Sequence, residues 1–133
     1  MKKATREWVR KAEDDYQLAA QIVKGSESFY DQICFHCQQA AEKYLKGLLE
    51  EIGATIPKTH NLDDLYSLIL PHQSALRALR RGLIFLTDFA VGTRYPGQNA
   101  SKRQAAAAWR WATKVRDTCR MILGVLPPRS RKT

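Results

Sequence analysis

Acidic side chains nearly vanish from the second half of this chain. Residues 73–133 hold 2 Asp/Glu against 13 Lys/Arg, whereas residues 1–72 hold 11 Asp/Glu against 9 Lys/Arg. The overall charge of +9 is thus a first half near −2 joined to a second half near +11. Removing Arg129, Arg131 and Lys132 still leaves the second half at +8, so a basic tail alone does not create the bias. Such polarity points to a phosphate-rich or acidic partner, whether nucleic acid, a nucleotide or an acidic protein; the alternative is charge that serves solubility alone. Long apolar runs are missing too. None approaches the ~18 residues that a membrane-spanning helix requires, so no membrane partner is expected. Charged residues follow Met1-Lys2-Lys3 where a secretory signal would be apolar, and a cytoplasmic location is expected. Cysteine is scarce and odd in number, three in all, which excludes a disulfide framework. Cys34, Cys37 and Cys119 read as buried reduced thiols, because no complete ligand set surrounds them; neither a metal nor another cofactor is expected. No segment alternates with strand period and no repeat of solenoid length is present.

What the chain does have is helical periodicity. With 133 residues and 44% hydrophobic content, it is expected to form one compact domain. Trp8, Ala12, Tyr16, Ala19 and Val23 make an apolar stripe on a helix from about Thr5 to Lys24, closed by Gly25-Ser26. A second helix from about Phe29 to Ile52 carries a broad face from Tyr30 to Ile52, with Gly53 as its terminator. Asn61 caps a short third helix that Pro71 interrupts. Ser74 is a candidate cap for a fourth, whose inward residues are Leu76, Leu79, Leu83, Leu86 and, in extension, Ala90. The segment 92–99 is a loop, since Gly92, Pro96 and Gly97 forbid a continuing helix. Ser101-Lys102-Arg103-Gln104 fits a capping box that opens a last helix to about Leu123, closed by Gly124. Long helices with short connections favour an all-α, up-and-down four-helix bundle with one additional short helix.

The second helix also carries polar residues within its core run. Gln39, Glu42, Lys43 and Lys46 share a face by three- and four-residue spacing, beside Gln38. They form either a solvated face or a polar seam at a groove or interface, and a Lys or Gln pointing inward is costly unless paired. His36 lies beside the buried face and His60 opens the short helix; both read first as structural histidines. Arg103, Arg110 and Lys114 share a stripe on the last helix, near Arg77, Arg80, Arg81 and Arg120. Trp109 and Trp111 flank Arg110, and one of them is expected to point away from the core, either to stack on a base or to anchor an interface.

Four motifs in order give these features a family likeness: Trp8 followed by Lys-Ala-Glu-Asp-Asp at 11–15, Cys-Phe-His-Cys-Gln-Gln-Ala-Ala-Glu-Lys-Tyr-Leu-Lys at 34–46, Thr-His-Asn-Leu at 59–62, and Arg-Tyr-Pro at 94–96. Over about residues 5–123 the chain resembles the HEPN (higher eukaryotes and prokaryotes nucleotide-binding) domain family, small prokaryotic type. The bundle is expected over 1–126, and Pro127-Pro128 then starts a basic disordered tail at 127–133. The resemblance implies four long helices plus a short one, pairing into a homodimer, and a minimal nucleotidyltransferase as partner in a toxin–antitoxin-like pair. Active members of the family are metal-independent ribonucleases that use an Arg and a following His, brought together across the dimer.

This chain departs from that pattern. Arg94 stands in Arg-Tyr-Pro, but no His follows it, and the last histidine is His72. Where related small members place a His five positions after the Arg, this chain has Asn99. Asparagine hydrogen-bonds but cannot exchange a proton near neutral pH, so acid–base cleavage of RNA loses its best candidate. Arg94 offers a planar fork of donors for a phosphate, or is simply a surface residue of the loop. Asn99 either caps the last helix or orients a ligand. The catalytic candidates are therefore Arg94, Asn99 and His60, none of them compelling, and the phosphate-binding candidates are Arg94, Tyr95, Lys43, Lys46, Arg103 and Arg110. The expected function is that of a non-catalytic or weakly catalytic HEPN protein that binds nucleotide or RNA phosphates. The alternatives are a metal-independent ribonuclease toxin, with His60 or His36 as substitute base, and a purely structural protein-interaction module.

Overall fold

A computed structural model of the chain describes residues 1–90 and 95–125, and all regular structure among them is helical. Arg94 and the expected tail at 127–133 lie outside the described residues. The elements are α1 (Lys3–Lys24), α2 (Tyr30–Glu51), α3 (Leu62–Ile69), a 3-10 segment (Ser74–Leu79), α4 (Arg80–Thr87) and α5 (Lys102–Leu123).

Helix α2 is the hub, packing against α1, α3, α4 and α5. Its apolar band reaches almost all the way round: Cys34, Cys37, Tyr44, Leu45 and Leu49 are fully buried, as a central helix requires. Helix α1 lies antiparallel to it, since the Lys2 N–H donates to Glu51 Oε1 at 3.0 Å, tying the start of one helix to the end of the other. Helix α5 runs parallel to α2: the Ala100 N–H donates to Asp31 Oδ1 near one end, and Arg120 Nη1 donates to Tyr44 Oη near the other. These directions are those of an up-and-down bundle in which α3, the 3-10 segment and α4 together make the third member.

That third member departs from a single long fourth helix. Leu76 and Leu79, three residues apart, both face the core, and the three-residue repeat of a 3-10 helix places them on one side. Ser74 opens this segment without a side-chain cap. At its far end the buried residue is Phe89, which meets Phe85 edge to face at 5.4 Å, while the expected Ala90 is only half-buried. Asn61 does cap α3, accepting from Asp63 and Asp64. The capping box of α5 belongs to Ser101 and Gln104, so Asn99 is not the cap. Gly124 ends α5 at φ 72°, in the left-handed region that glycine enters without strain.

Both tryptophans of α5 pack on the body, which corrects the expectation that one points away. Trp109 stacks on Tyr16 with ring centroids 4.7 Å apart, and Trp111 lies over Gly82, where a Cβ would come within 2.1 Å of its ring carbons. Two features make room for both: a stacking partner on α1 and the absence of a side chain on α4.

Candidate functional site

Gln38, Glu42 and Lys46 follow one another at four-residue spacing on α2 and are all buried, a polar seam inside the bundle; Gln39 and Lys43 of the expected face are only half-buried. Glu42 is its acceptor. Its Oε1 takes hydrogen bonds from Gln38 Nε2 at 3.0 Å and His60 Nδ1 at 2.9 Å, and its Oε2 takes one from Lys46 Nζ at 2.9 Å. Gln38 also donates to the His60 carbonyl at 3.3 Å and accepts from Gln39 Nε2 at 2.7 Å. Burial pushes the Glu42 carboxyl up, but the bonds from Gln38, His60 and Lys46 outweigh it and hold it below the usual carboxylate range. An ionised carboxylate only accepts, so His60 carries its proton on Nδ1. The His60 side chain is 70% exposed on its outer side, and its Nε2 has no partner among the described residues.

A second network joins α1, α2 and α5. Glu13 accepts a bidentate pair from Arg116, at 2.8 and 2.7 Å, together with Tyr44 Oη at 2.5 Å and Gln17 Nε2 at 2.9 Å. Burial opposes its charge, but the hydrogen bonds from Arg116, Tyr44 and Gln17 and the positive charge of Arg116 hold Glu13 at about 2. The bond to Glu13 holds Arg116 firmly cationic. Burial, followed by the neighbouring Glu13, pushes the Tyr44 hydroxyl well above its ordinary value. Arg116 also covers the Tyr16 ring at 4.5 Å. Beside this network Asp15 accepts from His36 Nδ1 at 2.9 Å and Lys43 Nζ at 2.5 Å. Every buried side-chain nitrogen and oxygen among the described residues has a hydrogen-bond partner.

The candidates therefore separate. Lys46 is buried against Glu42, with the Trp8 ring 5.8 Å away, and Lys43 is held by Asp15. His36 is held inside by Asp15, whereas His60 is anchored yet exposed. Tyr95 is 78% exposed, and Asn99 is also exposed; they share the loop before α5. Arg103 and Arg110 project from α5 into solvent without an ion pair among the described residues, as does Lys102. Lys114 is exposed and lies 5.0 Å above the Trp111 ring.

Between the α1–α2 corner and the first half of α5 lies a groove of about 430 Å³. Its walls include Tyr30 and Trp109, and its cations are Lys102 and Arg110. Of these, Arg110 was a phosphate-binding candidate and Trp109 one of the two tryptophans expected to stack on a base or anchor an interface, whereas Tyr30 and Lys102 were not legible as site residues. Their joint signal was weak: Lys102, Ala106 and Arg110 sit one turn apart on α5, but nothing local says what faces them. Cys34, Cys37 and Cys119 are buried cysteines outside any disulfide among the described residues, and burial pushes the Cys37 and Cys119 thiols well up, away from reactivity. Among the described residues no three His, Cys, Asp or Glu side chains gather as a metal site, and no helix is long and apolar enough to cross a membrane.

A hub helix flanked by two long neighbours, with a polar seam closed by a histidine from the following segment, defines a class of small all-helical domain. The HEPN domain matches residues 5–122, and the chain belongs to that family. It is similar to TT1696 from Thermus thermophilus, whose crystal structure matches with a TM-score of 0.74 at 26% identity, over 88% of this chain and 96% of that one. No curated protein matches the sequence.

Proposed function

We propose that this HEPN-domain protein binds RNA or nucleotide phosphates through the outward face of α5 without efficiently cleaving them. It would act as the non-catalytic or weakly catalytic member of a toxin–antitoxin-like pair with a minimal nucleotidyltransferase, as a homodimer. The observation that carries the phosphate reading is the state of the cations on α5. Arg116 and Arg120 are spent on Glu13, while Lys102, Arg103, Arg110 and Lys114 are exposed and without ion pairs among the described residues. Exposed cations on one helix are an electrostatic footprint for a phosphate backbone. The absence of any histidine after His72 supports the non-cleaving half of the reading.

The test is RNA affinity against salt. Four cations on a single strand give a log–log slope of about −3. The Arg103→Ala/Arg110→Ala/Lys114→Ala variant should flatten that slope by about 2. A wild-type protein with no salt-sensitive affinity for RNA or nucleotide would overturn the reading.

One observation favours the ribonuclease alternative: Glu42 orients the exposed His60 as a carboxylate orients a general base. Metal-free cleavage that is lost in both His60→Ala and Arg94→Ala would establish that alternative.

A further inference from the structure

We infer that the groove beside α5 is a nucleotide pocket, taking a nucleobase against Trp109 and Tyr30 and the attached phosphate at Lys102 and Arg110. The inference rests on the phosphate-binding reading above and gives it a particular site. A volume of about 430 Å³ lies within the range of small-ligand sites, which pair apolar and aromatic walls with a few convergent polar groups. Lys102, Ala106 and Arg110 recur every four residues, so they stand on one face of α5. The alanine between the two cations keeps the space between them open. Neither cation has an ion pair among the described residues, so their charge is uncompensated where the groove needs it. Trp109 is fixed by its stack on Tyr16, which makes it a rigid wall with little ordering cost on binding. Glu27, from the α1–α2 corner, lines the opposite side. Its carboxylate repels a phosphate there and accepts from a ribose hydroxyl or an exocyclic amine, which orients the ligand with its phosphate toward α5. The ligand chemistry is a base carrying a phosphate, whether from a free mononucleotide or from one nucleotide of an RNA strand.

Calorimetric titration with AMP, adenosine and a short oligoribonucleotide tests this. Four proteins are compared: wild type, Ala106→Trp, Lys102→Ala/Arg110→Ala and Arg103→Ala/Lys114→Ala. Ala106 is exposed on its helix, so the tryptophan should fill the groove and leave the far-ultraviolet circular dichroism unchanged. AMP should bind wild type and lose at least about tenfold in affinity in Ala106→Trp and in Lys102→Ala/Arg110→Ala, while adenosine should be indifferent to the lost cations. Oligoribonucleotide affinity falling in Ala106→Trp would identify the RNA strand as the source; AMP affinity alone falling would identify the free nucleotide. If Ala106→Trp binds both ligands as wild type does, or changes the molecular mass instead of the affinity, the pocket is wrong. If RNA then still responds to Arg103→Ala/Lys114→Ala, the α5 surface reading survives. If wild type binds neither AMP nor RNA, both fall.

Discussion

Glu13 stands where three helices meet, and its titration should be visible in the stability of the whole domain. Its folded value, about 2, lies below the ordinary 4.5. The unfolded chain therefore takes up the proton first as pH falls. The contribution of Glu13 is complete above pH 4.5 and is lost progressively between about pH 4.5 and 2, reaching at most about 3 kcal/mol. Urea unfolding at pH 6 and pH 3 should show the wild type losing about 2 kcal/mol more than Glu13→Gln over that interval; equal losses would show that Glu13 is not the group responsible. The residue scale is also where the sequence was least legible. Glu42 and Lys46 share a face by spacing alone, so a seam was foreseeable. That His60 supplies its outer end was not, because the pair is 18 residues apart. The Glu13–Arg116 bond spans 103 residues, and no local pattern announces which acid meets which base.

The elements were more legible, for a physical reason. A helix buried along one stripe must repeat its apolar residues every three to four positions, and α1, α2 and α5 do so over 22 residues each. Helix ends were readable from capping chemistry, at Asn61 for α3 and Ser101 for α5, and from the left-handed glycine at 124. The weak point was the third member of the bundle. Leucines three apart fit either a 3-10 turn or the first turn of an α-helix, and propensity does not decide between them. Nor does propensity explain Gly82, which sits within a helix and is there because the Trp111 ring occupies the place of a side chain. Gly82→Ala should destabilise the domain by about 2 kcal/mol through overpacking, despite the better helix propensity of alanine. Adding Trp111→Leu should recover part of that loss in a double-mutant cycle read by thermal unfolding. A Gly82→Ala protein as stable as wild type would refute the close approach of α4 and α5.

At the scale of the whole molecule, the polarity of the sequence is partly cancelled by folding. Acids of the first half neutralise bases of the second: Glu13 takes Arg116 and Arg120, and Asp63 takes Arg80. What remains exposed on α5 is a compact cationic face beside a groove, rather than a diffuse positive field. The family likeness was readable from short motifs because those motifs encode the seam, the histidine that closes it and the stripe of α1. The groove was not readable, because the corner around Gly25 and the helix that begins at Lys102 lie far apart in sequence. The central claim, that this scaffold grips RNA without cutting it, meets its most direct test in one experiment. End-labelled single-stranded RNA is incubated with the protein in EDTA, then read for retardation on a native gel and for length on a denaturing gel. The expected result is RNA that is retarded at low salt, released at high salt and of full length throughout. RNA that is shortened, or that is never retarded, would contradict the claim in its chemistry or in its binding.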